Sequence, residues 1–327
     1  MFAFFHKFFR KVSSCEGPSE CAVVKCRDQG FEGIRVIERN KKILSLMRSM
    51  HSSISDSQEK NIDFIDACFT CPPGYPTKIF FCLDTVTHEN NKEFFSFLRP
   101  QRVIGYTKTR MGGEHDGGYV LINPLSLQSS IAYSFGVSDY SPWDIEVAEL
   151  GMKVFQYDGT IDIPPNTHEN IYFQKNNICA DEIPEEGLKN LEQILEDHGH
   201  KQENNITLQI DIEGAEWEFF EKIKTEQIEK FSQIIVEFHA ISPLDVIDFQ
   251  KKLNIIKKIL ITHEVIHLHS NNFCDYFFFD DFSFCPELLE VTFLRRDRHI
   301  KFEPLMLPDS SLDSPNQTEL PDPLFIF

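Results

Sequence analysis

The stretch LQIDIEGAEWEFF, Leu208–Phe220, starts as an alternating apolar and polar run and then places Asp211, Glu213 and Glu216 around Gly214. Carboxylates in such a place can hold a hydroxyl or a cation, or take a proton from a substrate. A sheet interior suits them poorly, because an unpaired buried charge is costly. Three other runs end in the same manner. SSIAYSFGVSD carries Ser134, Gly136 and Ser138 at the close of an apolar segment, and MKVFQYDGT ends in Asp158. SQIIVEFHAI ends in Glu237 and His239, while THEVIHLHSNNF leads through His267 and His269 to Asn271 and Asn272. A histidine, with a pKa of about 6.5, is suited to remove a hydroxyl proton near neutral pH. Alternation puts Glu237 and His239 on one face of their strand, and His267, His269 and Asn271 on one face of theirs. If the two strands are near, His239 and His269 meet. His239 is the first candidate for general base, with His269, Asp211 and Glu237 behind it. For His267 the plainer reading, a hydrogen-bonded sheet residue, is preferred. Asn271 and Asn272 are placed to orient an acceptor. Asp211, Glu237, His239 and His269 also offer oxygen and nitrogen donors, but nothing in their spacing fixes a metal, and none is assigned.

The elements that must carry these residues follow from periodicity. From Arg99 onward, strand-like and helix-like patterns alternate, as in α/β layer folds. SSIAYSFGVSD, MKVFQYDGT, NIYFQKNNI, ITLQIDIEG and SQIIVEFHAI read as strands. SPWDIEVAELG reads as a helix with Ser141 as cap, Pro142 in the first turn, Asp144 at the capping-box position and Gly151 as stop. EGLKNLEQILEDHG reads as a helix with Leu188, Leu191, Ile194 and Leu195 on one face. WEFFEKIKTEQIEKF reads as one helix with Phe220, Ile223, Ile228 and Phe231 inward, and VIDFQKKLNIIKKIL as another. THEVIHLHSNNF and ELLEVTFLRR read as a closing antiparallel pair. The sum is a doubly wound, Rossmann-like sheet with a reversed strand at its edge. In such sheets ligands bind at the carboxyl ends of strands, which is where the polar residues fall. An acid roughly 20 residues beyond a glycine turn holds the hydroxyls of a nucleoside ribose, and Asp158 stands in that relation to Gly136. A plain DGT turn is the equal alternative. RMGGEHDGGYVLI, ahead of the first strand, reads as a glycine-rich hairpin, with Arg110 and Asp116 directed toward the substrate side.

AYSFGVSDYSPWD, VFQYDGT, LQIDIEGAEWEFF, IIVEFH and HLHSNN, in this order and with Asp116–Tyr119 upstream, resemble the FkbM-like, methyltransferase-domain proteins. The resemblance spans roughly Arg99 to Arg296, and the DIEGAEW run is its most specific part. It implies a class I S-adenosylmethionine (SAM) fold and methyl transfer, usually to oxygen. On that resemblance Ser134, Gly136, Ser138, Asp158 and Asp211 fall at cofactor positions, and Asp116, Glu213, Asn271 and Asn272 on the acceptor side. One departure matters: Ser134 stands where the fold's first motif has an acid. A non-catalytic binding or scaffold module that keeps the fold is therefore the alternative. No GxGxxG follows the first strand, which disfavours a nicotinamide dehydrogenase.

Organisation divides into a cysteine-containing N-terminal accessory region, 1–98, a methyltransferase domain, 99–300, and a Pro, Ser and Asp-rich tail, 301–327, extended and pinned by its last Phe and Ile residues. The net charge of −19 disfavours nucleic acid as a partner, because phosphate binding relies on clustered Lys and Arg. No apolar run is long enough to span a membrane. Of nine cysteines, Cys15, Cys21, Cys26, Cys68, Cys71 and Cys82 precede residue 83, and the odd total argues for reduced, buried thiols. The aromatic, basic opening MFAFFHKFFRKV is read as packing on the body. These features point to a cytoplasmic protein, with a secretory-pathway lumen or a membrane surface as alternatives. The acceptor, whether a small molecule, glycan or lipid, is not legible: the 31 phenylalanines mostly build core.

Overall fold

Runs of β-branched and aromatic residues form the strands that position the site, and most are buried on both faces. The computed structural model describes residues 64–65, 79–82, 84–279, 281, 283–305, 309–318, 322 and 324–325. The aromatic opening and Cys15, Cys21, Cys26, Cys68 and Cys71 lie outside the described residues.

In chain order the elements are β1 (Phe64–Ile65), β2 (Ile79–Cys82), α1 (Thr85–Phe97), β3 (Gln101–Ile104), β4 (Lys108–Met111) and β5 (Tyr119–Ile122). Next come β6 (Ile131–Phe135), α2 (Pro142–Glu149), β7 (Lys153–Tyr157), β8 (Ile171–Gln174), β9 (Asn177–Ile178), β10 (Leu188–Lys189) and α3 (Leu191–Asp197). β11 (Ile206–Ile210), α4 (Glu216–Lys222), α5 (Thr225–Ile228), β12 (Phe231–Phe238), α6 (Val246–Ile259) and β13 (His263–Ser270) follow. β14 (Tyr276–Phe278), β15 (Phe284–Pro286), β16 (Leu289–Arg295) and β17 (Lys301–Pro304) complete the series.

Seven strands make the central sheet in the order β13-β16-β12-β11-β6-β7-β8. β12, β11, β6, β7 and β8 are parallel. The chain runs from β6 outward to β8, then returns to the other side of β6 as β11, so its winding reverses between β6 and β11. The reversed strand is not at the edge, as the sequence pattern suggested. β16 lies one strand in, antiparallel to both β12 and β13. There it satisfies backbone groups on two sides, whereas an edge strand satisfies one.

One face of the sheet packs Tyr133, Phe135, Leu208, Val236 and Phe238 against Phe219 and Phe220 of α4 and Phe249, Leu253 and Ile256 of α6. α1 adds Phe94, Phe95 and Leu98 to this core, with the Phe94 and Phe249 ring centroids 4.7 Å apart. The opposite face packs Ala132, Val154 and Ile235 against Trp143 and Val147 of α2 and against Met111, Tyr119 and Leu121 of the β4–β5 hairpin.

Three helix readings change. α3 begins at Leu191, where Asn190 and Gln193 form a capping box, and Leu188 instead pairs in β10 with β9. The helix read through Phe231 breaks at the extended residues Ile223 and Lys224. There Lys258 Nζ donates to the carbonyls of Phe220, Glu221 and Ile223, satisfying the end of α4; Phe231 opens β12. At α2, Pro142 holds the first turn, but Ser141 makes no side-chain cap and Asp144 is buried. The tail is not free. β17 pairs with β3, Phe325 stacks on Phe95 and Phe284, and Pro315, Asn316 and Asp322 meet His115, Asp116 and His269.

Candidate functional site

At the β6 exit, backbone crowding fixes the sequence. Asp211 N donates to Phe135 O at 2.8 Å, so the ends of β6 and β11 close on each other at the winding reversal. A Cβ on Gly136 would stand 1.6 Å from Asp211 O, and φ there is +83°. The glycine is demanded by the neighbouring strand, not by space for a cofactor. Ser138, two residues on, also has a left-handed φ of +53°. Asp158 clamps this loop: Oδ2 accepts from Val137 N at 3.0 Å and Ser138 N at 2.9 Å. Oδ1 accepts from Thr160 N and Oγ1 at 2.7 and 2.6 Å. Burial alone would raise the Asp158 pKa, but these hydrogen bonds outweigh it and hold the carboxyl below its ordinary value. Asp158 is therefore a turn residue and a loop clamp at once. A ribose hydroxyl would need to replace one of its present donors, of which Ser138 and Thr160 are exposed and Val137 is buried.

Ser134 is buried and donates to Gln209 Oε1 at 2.9 Å. α2 brings an acid to this point. Asp144 lies beside Ser134, accepts from Gln156 Nε2 at 2.6 Å, and is pushed by burial to a pKa of about 6. Sequence reasoning read Asp144 only as a cap. Its signal was an acid in the first turn of the helix that follows the glycine loop.

The first turn of α4 builds the other half. The fully buried Glu216 carboxylate accepts from Ile212 N at 2.7 Å and Gly214 N at 3.0 Å, and its Oε1 lies 3.3 Å from His239 Nδ1. Trp217 Nε1 donates to His239 O at 2.6 Å, and the indole stacks on Phe238. The far edge of the imidazole, Nε2, faces Asp211 Oδ1 at 3.6 Å and Glu213 Oε2 at 3.5 Å. Burial would lower the His239 pKa, but Glu216, Asp211 and Glu213 together lift it to about 9. That shift favours the charged imidazolium, the form in which a histidine does not accept a proton. Burial raises the Asp211 pKa to about 7, against the opposing pull of His239, a value suited to taking up a proton near neutral pH. Glu216, noted in the sequence only as a crevice acid, is the residue that holds the histidine.

His239 and His269 do not share partners. Glu237, Glu290 and His269 lie side by side across β12, β16 and β13. Asn271 Nδ2 donates to Glu237 Oε1 at 2.9 Å. Burial, then Asp211, Glu290 and Asp116, raise the Glu237 pKa well above the carboxylate range. His269 sits between Glu290 at 3.0 Å and Asp322 of the tail at 3.1 Å; burial opposes its charge, but the two carboxylates prevail and raise its pKa. Asn316 of the tail bridges Glu290 and Asp116, and Asn272 exchanges hydrogen bonds with Gln317. Arg110 stitches its own loop through Gly113 O and His115 O. His267, buried between Lys108 and Asp313, fits the plainer reading.

No family model matches the chain, and no curated protein matches it. Fold and site define a mixed α/β protein with a mostly parallel central sheet and a cluster of polar side chains at its winding reversal. Among the described residues, no helix is long and apolar enough to cross a membrane.

Proposed function

We propose that the chain is a SAM-dependent methyltransferase acting on an oxygen acceptor. One observation carries the reading: Gly136, Asp158, Asp211 and His239 follow neighbouring parallel strands and gather at the reversal between β6 and β11, where doubly wound sheets bind ligands. The strand order, with one reversed strand set inside the edge, is compatible with the class I SAM fold implied by the DIEGAEW run. The donor set fits such a ligand. Asp158 supplies the acid after the second parallel strand, Asp144 replaces the acid absent at Ser134, and the buried Oδ1 of Asp211 has no hydrogen-bond partner. When bound, SAM supplies the activated methyl group. The chain's own residues then align the acceptor and manage its proton. Asp211 accepts the proton, Glu216 fixes His239, and the His239 charge stabilises the Asp211 carboxylate that must form first.

A second reading has an observation of its own. The tail occupies His269, Asn272 and Asp116, all acceptor-side residues, as a binding module without turnover would allow. Urea unfolding with the demethylated product, S-adenosylhomocysteine, separates the two. A ligand at 100 times its Kd stabilises the native state by about 2.7 kcal/mol. A shift of that kind supports the enzyme, and an unmoved midpoint at millimolar ligand supports the module.

A further inference from the structure

We infer that the tail, over residues 313–317, occupies a seat built for another polypeptide, one whose backbone Asn272 holds and whose donor side chain meets Glu290 and Asp116. Two sides form the seat. His115 and Asp116 stand in the loop of the β4–β5 hairpin, while Asn272 follows β13 and Glu290 lies in β16. The tail touches both. Asn272 Oδ1 accepts from Gln317 N at 2.7 Å, and Asn272 Nδ2 donates to Gln317 O at 2.8 Å. A side-chain amide that takes both backbone groups of one residue reproduces the pairing of a sheet. It does so without regard to that residue's side chain. Pro315 O accepts from His115 Nδ1 at 3.1 Å, again a backbone contact. Selectivity comes from the residue between: Asn316 Nδ2 donates to Glu290 Oε1 at 2.7 Å and to Asp116 Oδ1 at 3.3 Å. Main-chain bonds for affinity and one side-chain position for specificity are how proteins recognise peptides.

The tail is a replaceable occupant. None of residues 309–318 enters the hydrophobic core, and Leu312 and Pro315 are only half-buried. Polar contacts hold the segment, and each is largely offset by the water it displaces. Asn316 Oδ1 is buried without a hydrogen-bond partner, so the fit is incomplete at the selective position. The anchors lie to either side: β17 pairs with β3, and Phe325 stacks on Phe95 and Phe284. Tethering of this kind supplies an effective concentration on the order of millimolar, enough for weak contacts to persist in cis. Another chain can therefore displace residues 313–317 while both anchors stay in place.

The seat adjoins the Asp211 cluster. Asp116 is close enough to oppose ionisation of both Asp211 and Glu237, and Glu237 accepts from Asn271, the neighbour of Asn272. Peptide binding itself does not depend on the methyl transfer proposed above. The further statement that the methyl acceptor is a polypeptide rests on that reading.

The test uses the full chain and a fluorescein-labelled synthetic peptide of residues 309–318, followed by anisotropy. Asn316→Ala combined with Gln317→Pro removes the side-chain donor and the backbone N–H from the tail and leaves the seat intact. This tail variant should bind the peptide. Wild type should bind it at least about tenfold more weakly, because its own tail competes. Adding Asn272→Ala to the tail variant should weaken binding by at least about tenfold, and so should Asn316→Ala within the peptide. If the double variant does not fold, Asn316→Ala alone takes its place in the same comparison. Equal affinity in wild type and tail variant, or binding that survives Asn272→Ala, overturns the inference. So does a folded tail variant that takes up no peptide. S-adenosylhomocysteine binding on the same samples keeps the two proposals apart. Peptide bound without S-adenosylhomocysteine supports the seat and removes the methyltransferase, and the reverse overturns the seat alone.

Discussion

Gly136→Ala tests the crowding at the centre of the site. Two costs add. Alanine must adopt the left-handed φ of +83°, worth about 1–2 kcal/mol. Its Cβ would also lie 1.6 Å from Asp211 O and 2.7 Å from Asp211 C, so backbone must move. Overpacking of that kind costs about 1–3 kcal/mol or more. The expected loss is therefore about 2–5 kcal/mol, a large part of a typical domain's stability. Gly151→Ala is the internal control. Its φ is +88°, but a Cβ there meets nothing within 4 Å, so only the strain of about 1–2 kcal/mol applies. Urea unfolding of the two variants against wild type gives the comparison. The gap between them reports the contact with Asp211. Equal losses, or a Gly136→Ala loss under about 1 kcal/mol, would refute the close approach of β6 and β11.

Further outcomes follow from the same geometry. His239, raised to about 9 from about 6.5, should stabilise the fold by up to about 3 kcal/mol. That contribution is whole below about pH 6.5 and fades as pH rises through 9, so the difference between wild type and His239→Gln should shrink over that window; a difference constant with pH contradicts the shift. Asp158→Ala should cost about 1.5–3 kcal/mol and speed amide exchange at Val137 and Ser138, whose N–H groups it accepts; unchanged exchange would make the clamp dispensable. Asp322→Asn removes one of two carboxylates from His269 and should loosen the tail, seen as faster hydrogen exchange over residues 309–318. Wild-type exchange there would show that the contacts of Asp313, Asn316 and Gln317 hold this segment without Asp322.

Strong periodicity made the sheet legible. KVFQY, ITLQI and QIIVEF are too apolar for anything but central strands, and their polar exits marked the crevice. The position of β16 was not legible, because an antiparallel pair reads the same whether it ends the sheet or inserts within it. Leu188 and the break at Ile223 escaped because helical spacing continues through both, and only tertiary partners decide: β9 for Leu188, Lys258 for the end of α4. In the site, residue types were readable and partners were not. His239 has the right chemistry for a base until three carboxylates are placed around it. Gly136 was legible as a glycine turn, but the atom a side chain there would meet lies 75 residues away in sequence, at Asp211. The tail reads as extended chain, and nothing local reveals that Asn316 and Asp322 reach the acceptor side.

Calorimetric titration with SAM, on wild type and on Asp158→Ala, bears most directly on the account. Wild type should bind one equivalent per chain. The variant should bind roughly 10- to 100-fold more weakly, as loss of a charged hydrogen bond of about 1.5–3 kcal/mol implies. A folded wild-type protein that takes up neither SAM nor its demethylated product would contradict the methyltransferase reading outright.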